Sequence, residues 1–144
     1  MEQVSKAGWI EVICGPMFAG KSEELIRRIK RLEYAKKDTL VFKPKIDNRY
    51  SEDEIVSHSK RHTKSINIEH SSDVYKHLAK TKHVDAIVID EVQFLDDGIV
   101  DVCDDLANKG IRVIVGGLDT DFKGDPFKNV ANLLAKAEYI TKLT

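Results

Sequence analysis

Cysteine is scarce in this chain of 144 residues: there are two, Cys14 and Cys103. Two cysteines make no disulfide framework. Both lie among apolar neighbours, where a thiol behaves as a small buried hydrophobe. No apolar stretch approaches the ~20 residues of a membrane span. The opening residues Met1-Glu2-Gln3-Val4-Ser5-Lys6 lack the apolar centre of a signal peptide. Charge of a single sign is missing too, since the formal net charge is −1, which argues against a nucleic-acid footprint. Repeats, low-complexity tracts and linkers are absent. These absences leave one soluble domain, residues 1–144, of a reducing cytoplasm as the expectation, with neither nucleic acid nor membrane as a partner.

What is present is globular in kind, with 42% hydrophobic and 33% charged residues. The most informative stretch is Gly15-Pro16-Met17-Phe18-Ala19-Gly20-Lys21-Ser22. It fits G-x-x-x-x-G-K-[ST], the phosphate-binding P-loop. An apolar run, Trp9-Ile10-Glu11-Val12-Ile13-Cys14, precedes it as a strand. Leu25, Ile26, Ile29 and Leu32 follow at helical spacing, with Arg27, Arg28, Lys30 and Arg31 on the other face. That basic face reads as solvated surface. Such a loop turns backbone N–H groups inward as an anion cradle, and the helix N-terminus behind it is partially positive. Gly15 and Gly20 let the backbone turn and approach phosphate. Lys21 reaches the β- and γ-phosphates of a nucleoside triphosphate, and Ser22 joins Mg²⁺.

Further strands are expected at Thr39–Phe42, Lys64–Glu69, Val84–Ile89, Ile111–Gly116 and Ala137–Thr141. Helices are expected from Ser71-Ser72-Asp73, over about Asp97–Lys109, and from Asp125-Pro126, with Phe127, Val130, Ala131 and Leu134 on one side. The alternation predicts an α/β domain with a mostly parallel sheet covered by helices on both faces. With a P-loop the expected fold is RecA-like. Residues 45–62 have no period, and a loop of that length is usually functional or mobile. Within it, His58 and His62 are too little to argue a metal site.

Open α/β sheets bind ligands beyond the carboxyl ends of their strands. Asp90 ends the apolar run Ala86-Ile87-Val88-Ile89, the form of a Walker B aspartate that serves Mg²⁺. Glu91, directly after it, is placed to take a proton from a nucleophile aimed at the γ-phosphate. That nucleophile is water in an ATPase and a substrate hydroxyl in a kinase, and position alone does not choose. Met17, Phe18, Phe94, Leu118, Phe122 and Phe127 cluster along the same loops and favour a flat, apolar pocket for a small planar acceptor.

The P-loop, Phe42-Lys43-Pro44 with Asp47 and Arg49, Val56-Ser57-His58, Asp90-Glu91-Val92-Gln93-Phe94, and Gly117-Leu118-Asp119 through Phe122 and Pro126-Phe127 occur in that order. Together they resemble the thymidine kinase family of the cellular, zinc-containing type, over Trp9 to Thr144. The resemblance implies transfer of the ATP γ-phosphate to the 5′-hydroxyl of thymidine or deoxyuridine, a salvage step for DNA synthesis. By that resemblance Glu91 is the general base and Lys21 acts on the phosphates. Gly15 to Ser22, Asp90, Glu91, Val92, Gln93 and Arg49 meet ATP. Ser22, Asp90 and Asp47 serve Mg²⁺, and Met17, Phe94, Leu118, Phe122 and Phe127 line the thymidine pocket. A homotetramer is implied as well. Leu95, Ala19 and Lys128 depart from the usual family residues. The family pattern continues beyond Thr144 into a small domain with a lasso-like loop and Cys-x-x-Cys-type ligands for structural zinc, and no zinc ligand set is expected within this chain. A P-loop ATPase in which Glu91 activates water, or an ATP-binding module without turnover, are the alternatives.

Overall fold

The computed structural model describes residues 8–46, 54–56 and 62–144. Its centre is a six-stranded sheet in the order β5-β2-β6-β7-β1-β8, and every pairing in it is parallel. In chain order, β1 (Trp9–Gly15) leads through the loop to α1 (Lys21–Tyr34) and β2 (Thr39–Pro44). A two-stranded antiparallel hairpin, β3 (Glu54–Val56) and β4 (His62–Lys64), comes next. Then follow β5 (Ile66–Ile68), α2 (Asp73–Ala79) and β6 (Ala86–Ile89). A short 3₁₀ turn at Val92–Phe94 leads to α3 (Gly98–Asn108), β7 (Arg112–Leu118), α4 (Lys128–Lys136) and β8 (Tyr139–Lys142).

The sheet is covered on both faces because its strands alternate apolar side chains up and down. Ile10, Val12, Cys14, Ile87, Ile89, Val113 and Val115 face α3 and α4. Ile13, Ala86, Val88 and Ile114 face α1, whose Leu25, Ile26, Ile29 and Leu32 are all buried. Each of those four side chains contributes about 1.5–3 kcal/mol by leaving water. The RecA-like α/β expectation is met, with a sheet that is wholly rather than mostly parallel.

Several local expectations are revised. Residues 54–56 and 62 fall in the stretch read as an aperiodic loop, and Lys64 in the strand expected over Lys64–Glu69; instead 54–56 and 62–64 form the hairpin, β5 starts only at Ile66, and Ile55 is buried against α1's cluster. Strand β7 runs through Gly116 and Gly117 to Leu118 instead of stopping at the first glycine. Neighbours occupy the space where side chains on these glycines would be, so both positions require glycine. A Cβ on Gly116 would lie 2.6 Å from Leu25 and 3.0 Å from Asp90 Oδ1, and one on Gly117 would lie 2.8 Å from Val130 and 2.9 Å from Gln93. Helix α4 begins at Lys128 rather than at Asp125-Pro126, because Thr120 and Pro126 bridge and the Phe127 amide donates to Asp119. Its inner face is Asn129, Val130 and Leu133, while Ala131 is exposed.

The basic face of α1 is also not uniformly solvated. Arg28 turns inward to Glu11, which is 4% exposed in the middle of β1. Glu11 accepts hydrogen bonds from Arg28, Arg112 and the Trp9 indole, and Arg28 donates further to Glu24 and Thr141. Burial raises the Glu11 pKa, but hydrogen bonds from Arg112 and Trp9 and the charges of Arg112 and Arg28 outweigh it and hold the carboxyl below its usual value.

Candidate active site

The loop between β1 and α1 wraps the point where the helix begins. Gly20 has φ 92°, a left-handed conformation glycine adopts without a Cβ penalty, and it precedes the helix with no side-chain cap on the first amides. Gly20 therefore places no side chain of its own over the first-turn N–H groups of α1, the end of a helix that favours an anion. Phe18 also has a positive φ, 67°, and its ring is 80% exposed; Met17 is 64% exposed. At Gly15 the close approach is to protein: a Cβ there would lie 2.7 Å from the Leu143 carbonyl oxygen.

Lys21 and Asp90, 69 residues apart, meet at the carboxyl ends of the strands. Lys21 Nζ lies 2.6 Å from Asp90 Oδ1. Asp90 is 3% exposed, and its backbone is anchored by donating to the Phe42 carbonyl of β2. The same Oδ1 accepts the Glu91 amide at 2.8 Å. Glu91 is half-buried with φ 54° and ψ 43°, left-handed for a residue with a Cβ. Residues in that region are uncommon and cluster at functional sites. Ser22 is half-buried beside Lys21 in the first turn of α1. The donor set of a serine hydroxyl and a carboxylate is hard oxygen, which suits Mg²⁺.

The other expected site residues are placed as follows. The Val92 side chain is buried in the core, and Gln93 Oε1 accepts the Leu118 amide at 3.2 Å. The side chains of both thus serve the protein interior. Phe94 and Phe127 meet edge-to-face, with ring centroids 6.4 Å apart at 72°. Phe94 is 55% exposed and Phe122, at the tip of the β7–α4 loop, is 94% exposed, while Leu118 and Phe127 are half-buried. That loop is folded on itself: Asp121 Oδ1 accepts the amides of Lys123 and Asp125. Pro16 is exposed and Ala19 half-buried. Asp47, Arg49 and His58 lie outside the described residues. A groove of about 610 Å³ lies elsewhere, beside the far end of α1 and lined by Ile29, Lys30, Leu40 and Ile66 among others.

Sequence reasoning missed Asn129. It is 5% exposed, and its Nδ2 donates to the Val92 carbonyl at 3.0 Å and the Leu95 carbonyl at 2.7 Å. It also missed Ser71, whose amide and hydroxyl both donate to Asp96 at the start of α3. Nothing in the spacing sets Asn129 apart from its neighbour Asn132, which is exposed. Glu11 did carry a signal: a lone carboxylate inside a buried strand requires a partner.

A parallel sheet with a glycine-rich loop, a lysine on a buried aspartate and an uncapped helix N-terminus at one end defines the P-loop α/β class of nucleotide-binding folds. Solved structures agree on the fold. The Legionella pneumophila ATPase DotB is similar over 90% of this chain and 35% of its own, with a TM-score of 0.55 and 15% identity. The Thermotoga maritima RuvB Holliday junction branch migration motor is similar over 94% of this chain and 37% of its own, with a TM-score of 0.51 and 13% identity. The chain thus spans little more than a third of those proteins. The family model for thymidine kinase matches residues 8–144, and the chain belongs to the thymidine kinase family. Among the described residues no helix is long and apolar enough to cross a membrane.

Proposed function

We propose that residues 1–144 form an ATP-binding kinase domain that transfers the γ-phosphate of ATP to the 5′-hydroxyl of thymidine or deoxyuridine. The observation that carries this reading is the Lys21–Asp90 pair with Glu91 beside it in a strained backbone conformation, within a chain of the thymidine kinase family.

The P-loop amides, from Gly15 to Ser22, receive the phosphates, and Lys21 exchanges Asp90 for phosphate oxygen as a polyphosphate arrives. Ser22 and Asp90, with Asp47 beside them, would hold Mg²⁺, which would supply positive charge to the phosphates when bound. Arg49 adds positive charge to the same phosphates. Glu91 takes the proton of the 5′-hydroxyl as that oxygen bonds to the γ-phosphorus. The bond from the γ-phosphorus to the bridging oxygen breaks, and ADP leaves. Met17, Phe94, Leu118, Phe122 and Phe127 offer aromatic and aliphatic surface to the flat base. Positioning and electrostatics supply most of the rate in such a transfer. A homotetramer in the cytoplasm remains part of the proposal through family membership.

The test is ADP release from Mg-ATP with and without thymidine. Thymidine-stimulated release supports the kinase reading. Hydrolysis indifferent to thymidine would assign Glu91 to water and make the domain an ATPase. ATP binding with neither would leave a nucleotide-binding module.

A further inference from the structure

The 3₁₀ turn that follows Glu91 is gripped from one side by a single segment of chain. Asn129, the second residue of α4, donates from Nδ2 to the carbonyls of both Val92 and Leu95, so it spans the turn. Gln93, inside the turn, accepts the Leu118 amide from the end of β7. Phe94 lies edge-to-face on Phe127. All three grips come from residues 118–129, the segment that also carries the candidate nucleoside contacts Leu118, Phe122 and Phe127.

The amide orientation of Asn129 follows from chemistry, since two facing carbonyls require the NH₂ group there. The cost of that orientation is visible on the other atom. Asn129 Oδ1 is buried without a hydrogen-bond partner among the described residues. A buried acceptor left unmet needs an explanation. Leucine would fill the same space without an orphaned oxygen, but would take the side-chain donor from both carbonyls, leaving the Val92 carbonyl with the Leu95 amide alone. The donors of Asn129 are therefore what the site uses.

We propose that Asn129 is a positioning residue for Glu91. By holding both ends of the turn it keeps the carboxylate of Glu91, at φ 54°, at the reaction centre, and it couples that carboxylate to the segment that receives the nucleoside. The assignment rests on the reading of Glu91 as the base, so its test includes a measurement independent of catalysis.

That measurement is amide hydrogen exchange at Phe94 and Leu95, whose N–H groups donate to the carbonyls of Glu91 and Val92 within the turn. In Asn129→Leu, exchange at these two amides should quicken by about tenfold or more while the amides of β6 and β7 stay protected. Thymidine-dependent kcat should fall by about 10- to 10²-fold, the scale of a misplaced catalytic group. The KM for ATP should stay unchanged, because the P-loop is untouched. Unchanged exchange at Phe94 and Leu95 overturns the proposal. So does quickened exchange with full kcat, provided Glu91→Gln is inactive beside it. If Asn129→Leu loses protection in β6 and β7, Asn129→Ala is read by the same two outcomes. A parent chain without thymidine-dependent turnover counts against the kinase reading alone, and exchange then upholds or overturns the clamp by itself.

Discussion

Glu91 bears two demands that pull in opposite directions. Its left-handed backbone suits glycine, and its proposed chemistry needs a carboxylate. Holding a Cβ in that region costs about 1–2 kcal/mol, partly offset in a glycine variant by the greater entropy of its unfolded chain. Glu91→Gly is therefore expected to relax that backbone while losing transfer, read from thymidine-dependent ADP release. Glu91→Gln keeps shape and backbone; it should bind ATP normally and lose transfer by ~10²-fold or more, read from thymidine-dependent ADP release. Lys21→Ala removes the cation paired with Asp90 and should lower transfer by at least about 10²-fold, with ATP affinity falling too when measured by calorimetry. Lys21 and Asp90, which the structure brings together, could be picked out from the sequence because a P-loop pattern and the end of an apolar strand mark them, and Glu91 because it follows Asp90. Asn129 could not, because a buried clamp and a surface asparagine look alike until α4 is packed against the turn.

At the scale of the element, α1 is held by more than its apolar stripe. Arg28, seven residues after Lys21, ties the helix to Glu11 of β1 and to Thr141 of β8. Arg28→Leu should cost about 1–3 kcal/mol in denaturant unfolding, since it deprives buried Glu11 of one of its donors. The Glu11 pKa is lower in the folded protein than in the unfolded chain, so the unfolded state takes up the proton first as pH falls. The stabilisation from Glu11 is thus present at neutral pH and is lost below its ordinary value of 4.5, as pH drops through the folded-state pKa. Glu11→Gln should be less stable at pH 7 and show a shallower acid limb in a pH series of unfolding midpoints. Helical and strand periodicity made α1, α3 and β6 legible to within a few residues. The start of α4 was not, because the Thr120–Pro126 bridge and the Phe127 amide bond depend on how the loop folds back.

Across the whole molecule, apolar alternation was enough to infer a covered parallel sheet, but not its strand order, which depends on crossovers that leave no local mark. That order has a consequence for how the chain comes into being. Of the six strands of this sheet, the one that launches the P-loop is made first, yet its two neighbours, β7 and β8, are made after the other three. Glu11 and Arg112 are 101 residues apart, Arg28 and Thr141 are 113, and Ile10 and Glu138 are 128. During synthesis β1 must wait, with both edges open, until β7 has been made. Contacts of such long reach slow folding and leave unpaired edges available to other chains. The nascent phosphate loop is therefore without its sheet neighbours until β7 emerges, and until then an unpaired β1 is open to pairing with the wrong strand.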